Sequence, residues 1–410
     1  MIFSDIKYLG HASLYLETDE VSIVTDPWFS KTGAYESSWF QYPDNTDIDF
    51  KWVDGLDYVC ISHEHQDHCD IGFLKNLNPS TKIVTANFIN KRYVNLLKDN
   101  LVNEIIEVDD RTTFDLGGVK YTPMIQIPMG QEDSAMIFEF GDEVIMNFND
   151  MKPSQNDIDW IKDKFDVTYL LKQFSGASWY PLIYDYDDEK MYELCRDKRL
   201  FKYQVILDVI NELNPKFYIP FAGPPCFLRD ETYHINFLEE NTFPSEADIY
   251  NFFKENHPKI SEKFMVLMPG DSVDDDWKHN LQHECFTDKE LYLKKYKDRR
   301  ELIIKEASNR IEKVNHSLLK KSIKYFYPLL RSAPRLCENI GGSILFNISG
   351  DYEEKIILDF LNNKVKLLND DEYFYEFDIE GKWLNHILEK QMTWEEFFLT
   401  LNFKARRKPD

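Results

Sequence analysis

The chain of 410 residues is short of positive charge, of paired cysteines and of long apolar runs. Its 48 Lys and Arg stand against 72 Asp and Glu, a net charge of −24. Such an excess of acid repels a polyanion, which excludes non-specific nucleic-acid binding as a role. The six cysteines, at positions 60, 69, 195, 226, 285 and 337, are scattered. In a chain of this length they form no disulfide framework, and reduced thiols in a cytoplasmic location are the expectation. No stretch reaches the roughly 20 consecutive apolar residues of a membrane span. The opening MIFSDIKYLG has no basic segment followed by an apolar one, so no secretory signal is read there.

Apolar material is plentiful. Hydrophobic residues make up 43% of the chain and aromatics 15%, enough for a packed core and too much for a disordered chain. At about 100–200 residues per domain, the length allows two or three domains. The first hundred residues read as short strands alternating with helical spacing. Strand-like runs lie at 5–8, 13–16, 21–25, 58–62 and 82–86, and helix-like runs at 71–77 and 87–98. That alternation predicts an α/β fold. Strands return over 105–149, with a hairpin turn at Gly141-Asp142, and again at 216–220. Near residue 290 the composition changes. Residues 291–330 hold eleven Lys or Arg against four Asp or Glu, which leaves −31 on the rest of the chain. Leu302, Ile303, Ile311, Val314, Leu318 and Leu319 fall at helical spacing there, so an amphipathic helix is expected whose basic face is solvated or packs on the acidic body, with a phosphate or membrane-surface role as the lesser alternative. The domain expectation is 1–290 for a catalytic body and 291–410 for a smaller α+β domain. Its last segment, 342–410, reads as two or three strands and two helices.

The densest chemistry is in CISHEHQDHCD. An apolar strand runs straight into His63, His65, Asp67 and His68. His63 and His65, two apart on extended backbone, point to one side and can share an ion. Asp67 and His68 follow as the chain turns and can reach a second. Two ions about 3.5–4 Å apart are a standard catalytic arrangement. Neutral imidazole with carboxylate suits zinc, iron or manganese.

With this spacing at the end of an apolar strand, the sequence resembles the metallo-β-lactamase fold superfamily. YLGHASLYLETDEVSIVTDPWF matches that family's opening strands, and EVIMNFND matches the strand that leads to its bridging carboxylate. The resemblance implies a four-layer αββα sandwich with two divalent metal ions between the sheet ends. It places Asp26 beside the metal loop and Asp150 as the bridging carboxylate. LGHAS, DPW, ISHEHQDH, NDM, SGASWYP, NPKFYIPFAG and the closing TWEEFFLTLNFKARRKPD resemble one branch more closely, the catalytic part of the CMP-N-acetylneuraminate hydroxylases. That branch couples its metal domain to a Rieske iron–sulfur domain and hydroxylates a sugar nucleotide with dioxygen. The tail bears a faint resemblance to sterol-carrier-like domains.

The chain departs from these patterns in three places. A Rieske centre needs C-x-H and C-x-x-H. No cysteine here has a histidine two positions on, so electrons would come from a separate donor, a small reductant or the substrate. The family's third histidine for the first ion falls, by ungapped counting from Asp150, on Met129, with Gln126, Gln131 and Glu132 nearby. A thioether is a poor ligand for a hard divalent ion. His63, His65 and Asp150 would then form the two-histidine, one-carboxylate set of non-haem iron, unless a shifted loop brings in Gln131, Glu132 or a water. For the last ligand, His234 is the candidate after the 216–220 strand. His11 is the other, with a role beside the metal or against substrate expected. Ser175, Trp179 and Tyr180 offer close backbone approach and a stacking surface for substrate. A local basic patch could come from Lys172, Arg229 or the 294–324 segment.

Three functions are open on this reading. The first is a dinuclear, di-iron oxygenase or hydroxylase that uses O2 on a small molecule such as a sugar nucleotide. The second is a metal-dependent hydrolase, a phosphodiesterase, lactonase or amidase, in which Asp67 orients or deprotonates a metal-bridging water. The third is a degenerate binding protein, against which the intact HEHQDH argues.

Overall fold

The computed structural model describes residues 3–126, 132–175, 179–274 and 277–408. Two six-stranded sheets face each other. The first runs Asp5–Gly10, Ser13–Glu17, Ser22–Thr25, Tyr58–Ile61, Lys82–Ala86, Ile105–Val108 in spatial as in chain order. Its first three strands are antiparallel hairpins and its last three pairings are parallel. The second sheet runs Phe114–Asp115, Lys120–Gln126, Asp133–Phe140, Glu143–Asn147, Tyr169–Gln173, Phe217–Phe221. It too changes from antiparallel to parallel pairing, at Glu143–Asn147. The expected hairpin is present, with Phe140 opposite Glu143 across Gly141-Asp142.

Period-two alternation sorts each strand's side chains between two cores. Ile23, Cys60, Ile145 and Leu171 point between the sheets. Val24, Val59 and Ile61 point outward under the helix Arg92–Asn100, which contributes Tyr93, Val94 and Leu97. Met146 and Leu170 point outward on the other side, under Gln155–Lys164, Asp188–Leu213 and Glu246–Asn256. The result is the four-layer αββα sandwich. Parallel strands covered on both faces account for the near-continuous apolar runs of the sequence.

A separate five-stranded sheet closes the chain. Its order is Lys364–Leu367, Glu354–Asp359, Ser343–Ser349, Tyr375–Glu380, Phe403–Arg407, flanked by Leu319–Ser332, Gly381–Leu388 and Trp394–Leu399. It has more strands than the two or three read from sequence. Its core is continuous with the first body, because Trp28, Tyr35, Trp39 and Phe227 pack in one cluster with Phe346, Trp383 and Phe397. Trp39 Nε1 donates to the Leu399 carbonyl at 2.7 Å. The basic segment is two helices, Lys289–Arg310 and Leu319–Ser332. The first packs Leu293 and Tyr296 on Phe40, Tyr42 and Cys226 of the body, and its buried Arg300 pairs with Asp44. All six cysteines are buried and free. Among the described residues no helix is long and apolar enough to cross a membrane.

Candidate metal centre

The strand Tyr58–Ile61 lies in the middle of the first sheet and its end delivers the metal motif. Beyond it the backbone turns tightly, with the amides of His68 and Cys69 both donating to the His65 carbonyl. This turn brings the four motif side chains to the open ends of the two sheets. His63 Nε2 and His65 Nδ1 converge to 2.9 Å. Two sets of candidate ligands result, His63 with His65 and Asp150, and His11 with Asp67 and His68. Within each, the ligand atoms lie within 4.8 Å of one another. Asp150 Oδ1 is also 3.6 Å from His68 Nε2, so that carboxylate faces both sets.

Each ring is held from behind. Asp26, fully buried, accepts from Ser62 N at 2.7 Å, Ser62 Oγ at 2.7 Å and His68 Nδ1 at 2.9 Å. With Nδ1 facing Asp26, His68 turns Nε2 into the centre, where this buried atom has no hydrogen-bond partner. Ser62 Oγ lies 2.9 Å from His63 Nδ1, and Asp133 Oδ1 lies 3.3 Å from it. Ser134 Oγ fixes the strand end by donating to the Ser62 carbonyl at 2.7 Å. Asp67 is held by the Tyr35 hydroxyl at 2.7 Å and stands 3.1 Å from His11 Nε2. Gln173 Nε2 donates to Asp150 at 2.6 Å.

The electrostatics fit a cation site. Burial opposes the charge on Asp67, but the His11 hydrogen bond and the imidazoles of His68, His11 and His65 hold its carboxyl well below the usual range. Burial and the neighbouring imidazoles keep His63 well below its ordinary value, so it stands ready as a neutral ligand. Burial and the Asp150 charge push Asp133 up to about 7. An unpartnered buried imidazole nitrogen, two converging ring nitrogens and the buried carboxylates of Asp26 and Asp67 are costly without a cation and natural around one.

His63, His65, Asp67, His68 and Asp150 are thus brought together as expected, with Asp26 behind them. His234 is not among them. It is exposed on the turn Tyr233–Phe237, whereas His11, buried in the turn between the first two strands, lies with Asp67 and His68. Met129 and Gln131 lie outside the described residues. All ten histidines are described, and only His63 and His65 join Asp150 in its set. Trp179 packs at 5.2 Å on Phe398 and Tyr180 at 5.4 Å on Tyr184, against the C-terminal domain. Ser175 is buried, and its carbonyl accepts from Lys202 Nζ. Lys172 and Arg229 are buried and donate to main-chain carbonyls, of Met151 and Ser37. A cavity of about 380 Å³ opens beside His65, walled by Tyr35, Gln66, Arg92, Glu395 and Glu396. A second, about 60 Å³, reaches His63 and Asp133. Sequence reasoning missed Asp133 and Glu395. Asp133 opens the strand that the ungapped count ran through, whereas Glu395 has no local signal.

Residues 5–129 match the model of the family described as "Beta-lactamase superfamily domain". That stretch of the chain is a β-lactamase superfamily domain. Residues 318–410 match a second family, described as "Rv3818-like, SCP2-like domain". A protein named as a Rieske 2Fe-2S iron-sulfur protein from Mycobacterium tuberculosis is 27% identical over 98% of this chain and 81% of its own length. The cytidine monophosphate-N-acetylneuraminic acid hydroxylase of Danio rerio is 23% identical over 99% of this chain and 70% of its own. Among solved structures, the diiron β-hydroxylase CmlA of Streptomyces venezuelae is 13% identical, covering 67% of this chain and 54% of its own, with a TM-score of 0.45.

Proposed function

We propose that this superfamily member is a dinuclear-metal oxygenase acting on a small organic substrate. In this reading His63, His65 and Asp150 hold one ion, and His11, Asp67 and His68 hold the other, with Asp150 facing both. The observation that carries it is the first set, in which, among the described residues, two imidazoles and one carboxylate leave coordination positions open, as in non-haem iron sites. Two irons bound there would supply the redox chemistry with dioxygen. Everything else falls to this chain's side chains. Asp26 and Ser62 keep the ring protons away from the ions, and Tyr35 orients Asp67. The cavity beside His65 is the space for substrate.

Relatives matching nearly the full chain, one bearing a Rieske name and one a hydroxylase name, support an oxidative reaction fed by one-electron transfer. These 410 residues contain no C-x-H pair, so the electrons come from a cluster carried elsewhere or from a small reductant. The second reading is a metal-dependent hydrolase. It is favoured by Asp67, an ionised carboxylate within the second set and able to orient a water.

Metal analysis of protein from iron-replete cells, with oxygen uptake of the reduced form, separates the two. Two irons per chain and reductant-dependent oxygen consumption support the oxygenase. Two zincs, no oxygen response and hydrolysis of a phosphodiester or lactone overturn it.

A further inference from the structure

The helix Trp394–Leu399 begins with a capping box. The Thr393 side chain accepts from the Glu396 amide, and the Glu396 carboxylate accepts from Thr393 N at 2.8 Å and Oγ1 at 2.9 Å. This lock aims the other Glu396 oxygen at Gln66 Nε2, 2.9 Å away in the metal loop. Gln66 in turn accepts from Tyr35 N at 2.8 Å. The neighbouring residue, Glu395, is thereby brought over His65, with its Oε1 3.4 Å from His65 Nε2. That oxygen is buried and has no other donor.

An imidazole that binds a metal through Nδ1 carries its proton on Nε2, and that N–H needs an acceptor. His68 has Asp26 behind it, and His63 has Ser62 and Asp133. For His65 the acceptor in reach is Glu395, which comes from the other domain. We propose that Glu395 is a positioning residue for His65, so that the C-terminal domain completes the metal centre rather than merely adjoining it. A carboxylate there fixes the tautomer, orients the ring and raises its basicity toward the ion. The proposal rests on the reading of His63, His65 and Asp150 as a metal site.

The test uses the full chain and its Glu395→Ala, Glu395→Asp and Glu395→Gln variants. Cobalt(II) affinity is measured by chelator competition, with the visible spectrum of the bound ion and the melting temperature of the metal-free protein. E395A is expected to lose about 10–100-fold in affinity for one of the two ions. Its cobalt spectrum shifts, its metal-free melting temperature is unchanged, and E395D and E395Q recover part of the loss. An E395A variant that binds both ions like the parent overturns the proposal and leaves the metal reading standing. So does a loss that comes with a collapse of metal-free stability. A parent protein that binds neither cobalt ion overturns the metal reading itself.

Discussion

Replacing Glu246 by glutamine tests the electrostatics of the interior away from the metal centre. Glu246 opens the helix Glu246–Asn256 and is buried, and neither of its carboxylate oxygens meets a hydrogen-bond donor. Burial pushes its carboxyl from 4.5 up to about 8, with Asp248 adding to the shift and Lys289 opposing it. Tyr8, Tyr42 and Cys285 also feel its charge. Between those two values the folded protein holds a proton that the unfolded chain has released. Stability from this group is therefore fully present below the unfolded value and is lost as pH rises toward the folded one. The slope approaches about −1.4 kcal/mol per pH unit, so about 2–3 kcal/mol disappears between pH 5 and pH 7. E246Q cannot titrate. Its own cost, a buried amide without partners, is the same at every pH. Urea denaturation of both proteins from pH 5 to pH 9 should show the variant gaining on the parent as pH rises, then running parallel above pH 8. A stability difference that stays constant across that range refutes the assignment of a buried, proton-holding Glu246.

Three further outcomes follow from the site and the domain junction. His11→Ala should lose one of two metal ions while His234→Ala keeps both, as read by elemental analysis, because His11 stands with Asp67 and His68 and His234 is exposed. Asp26→Asn forces a donor to face a donor at either Ser62 N or His68 Nδ1; it should cost about 1–3 kcal/mol of stability by denaturant midpoint and lower metal content. Trp39→Phe keeps most of the buried ring but strands the Leu399 carbonyl, for a loss of about 1–3 kcal/mol with domains still joined by gel filtration and melting as one transition.

The fold and the clustering of the central candidate ligands were legible because their signals are local. Period-two alternation in 22–25, 58–61 and 143–147 sorts residues between the two faces of each sheet, and HEHQDH holds four candidate ligands in one turn. The other partners come from afar. His11 reaches Asp67 from 56 positions away, and Gln66 meets Glu396 across 330. Spacing within one segment carries no trace of such contacts. The basic stretch shows the opposite failure, in which a local pattern is present but misleading. Ile311, Val314 and Leu318 fall at helical intervals and are all buried, yet they lie in the non-helical link between Lys289–Arg310 and Leu319–Ser332. An irregular segment laid across a core can bury every third or fourth side chain without turning into a helix.

The shared cluster of Trp28, Tyr35, Trp39 and Trp383 sets where this gene can be cut. A truncation before residue 318 would follow the start of the second family match, yet it would strip the apolar cover from three large rings of the metal body. The fragment would be sticky before it was inactive. Recombination that exchanged either half alone would meet the same barrier, so the halves are expected to be inherited together.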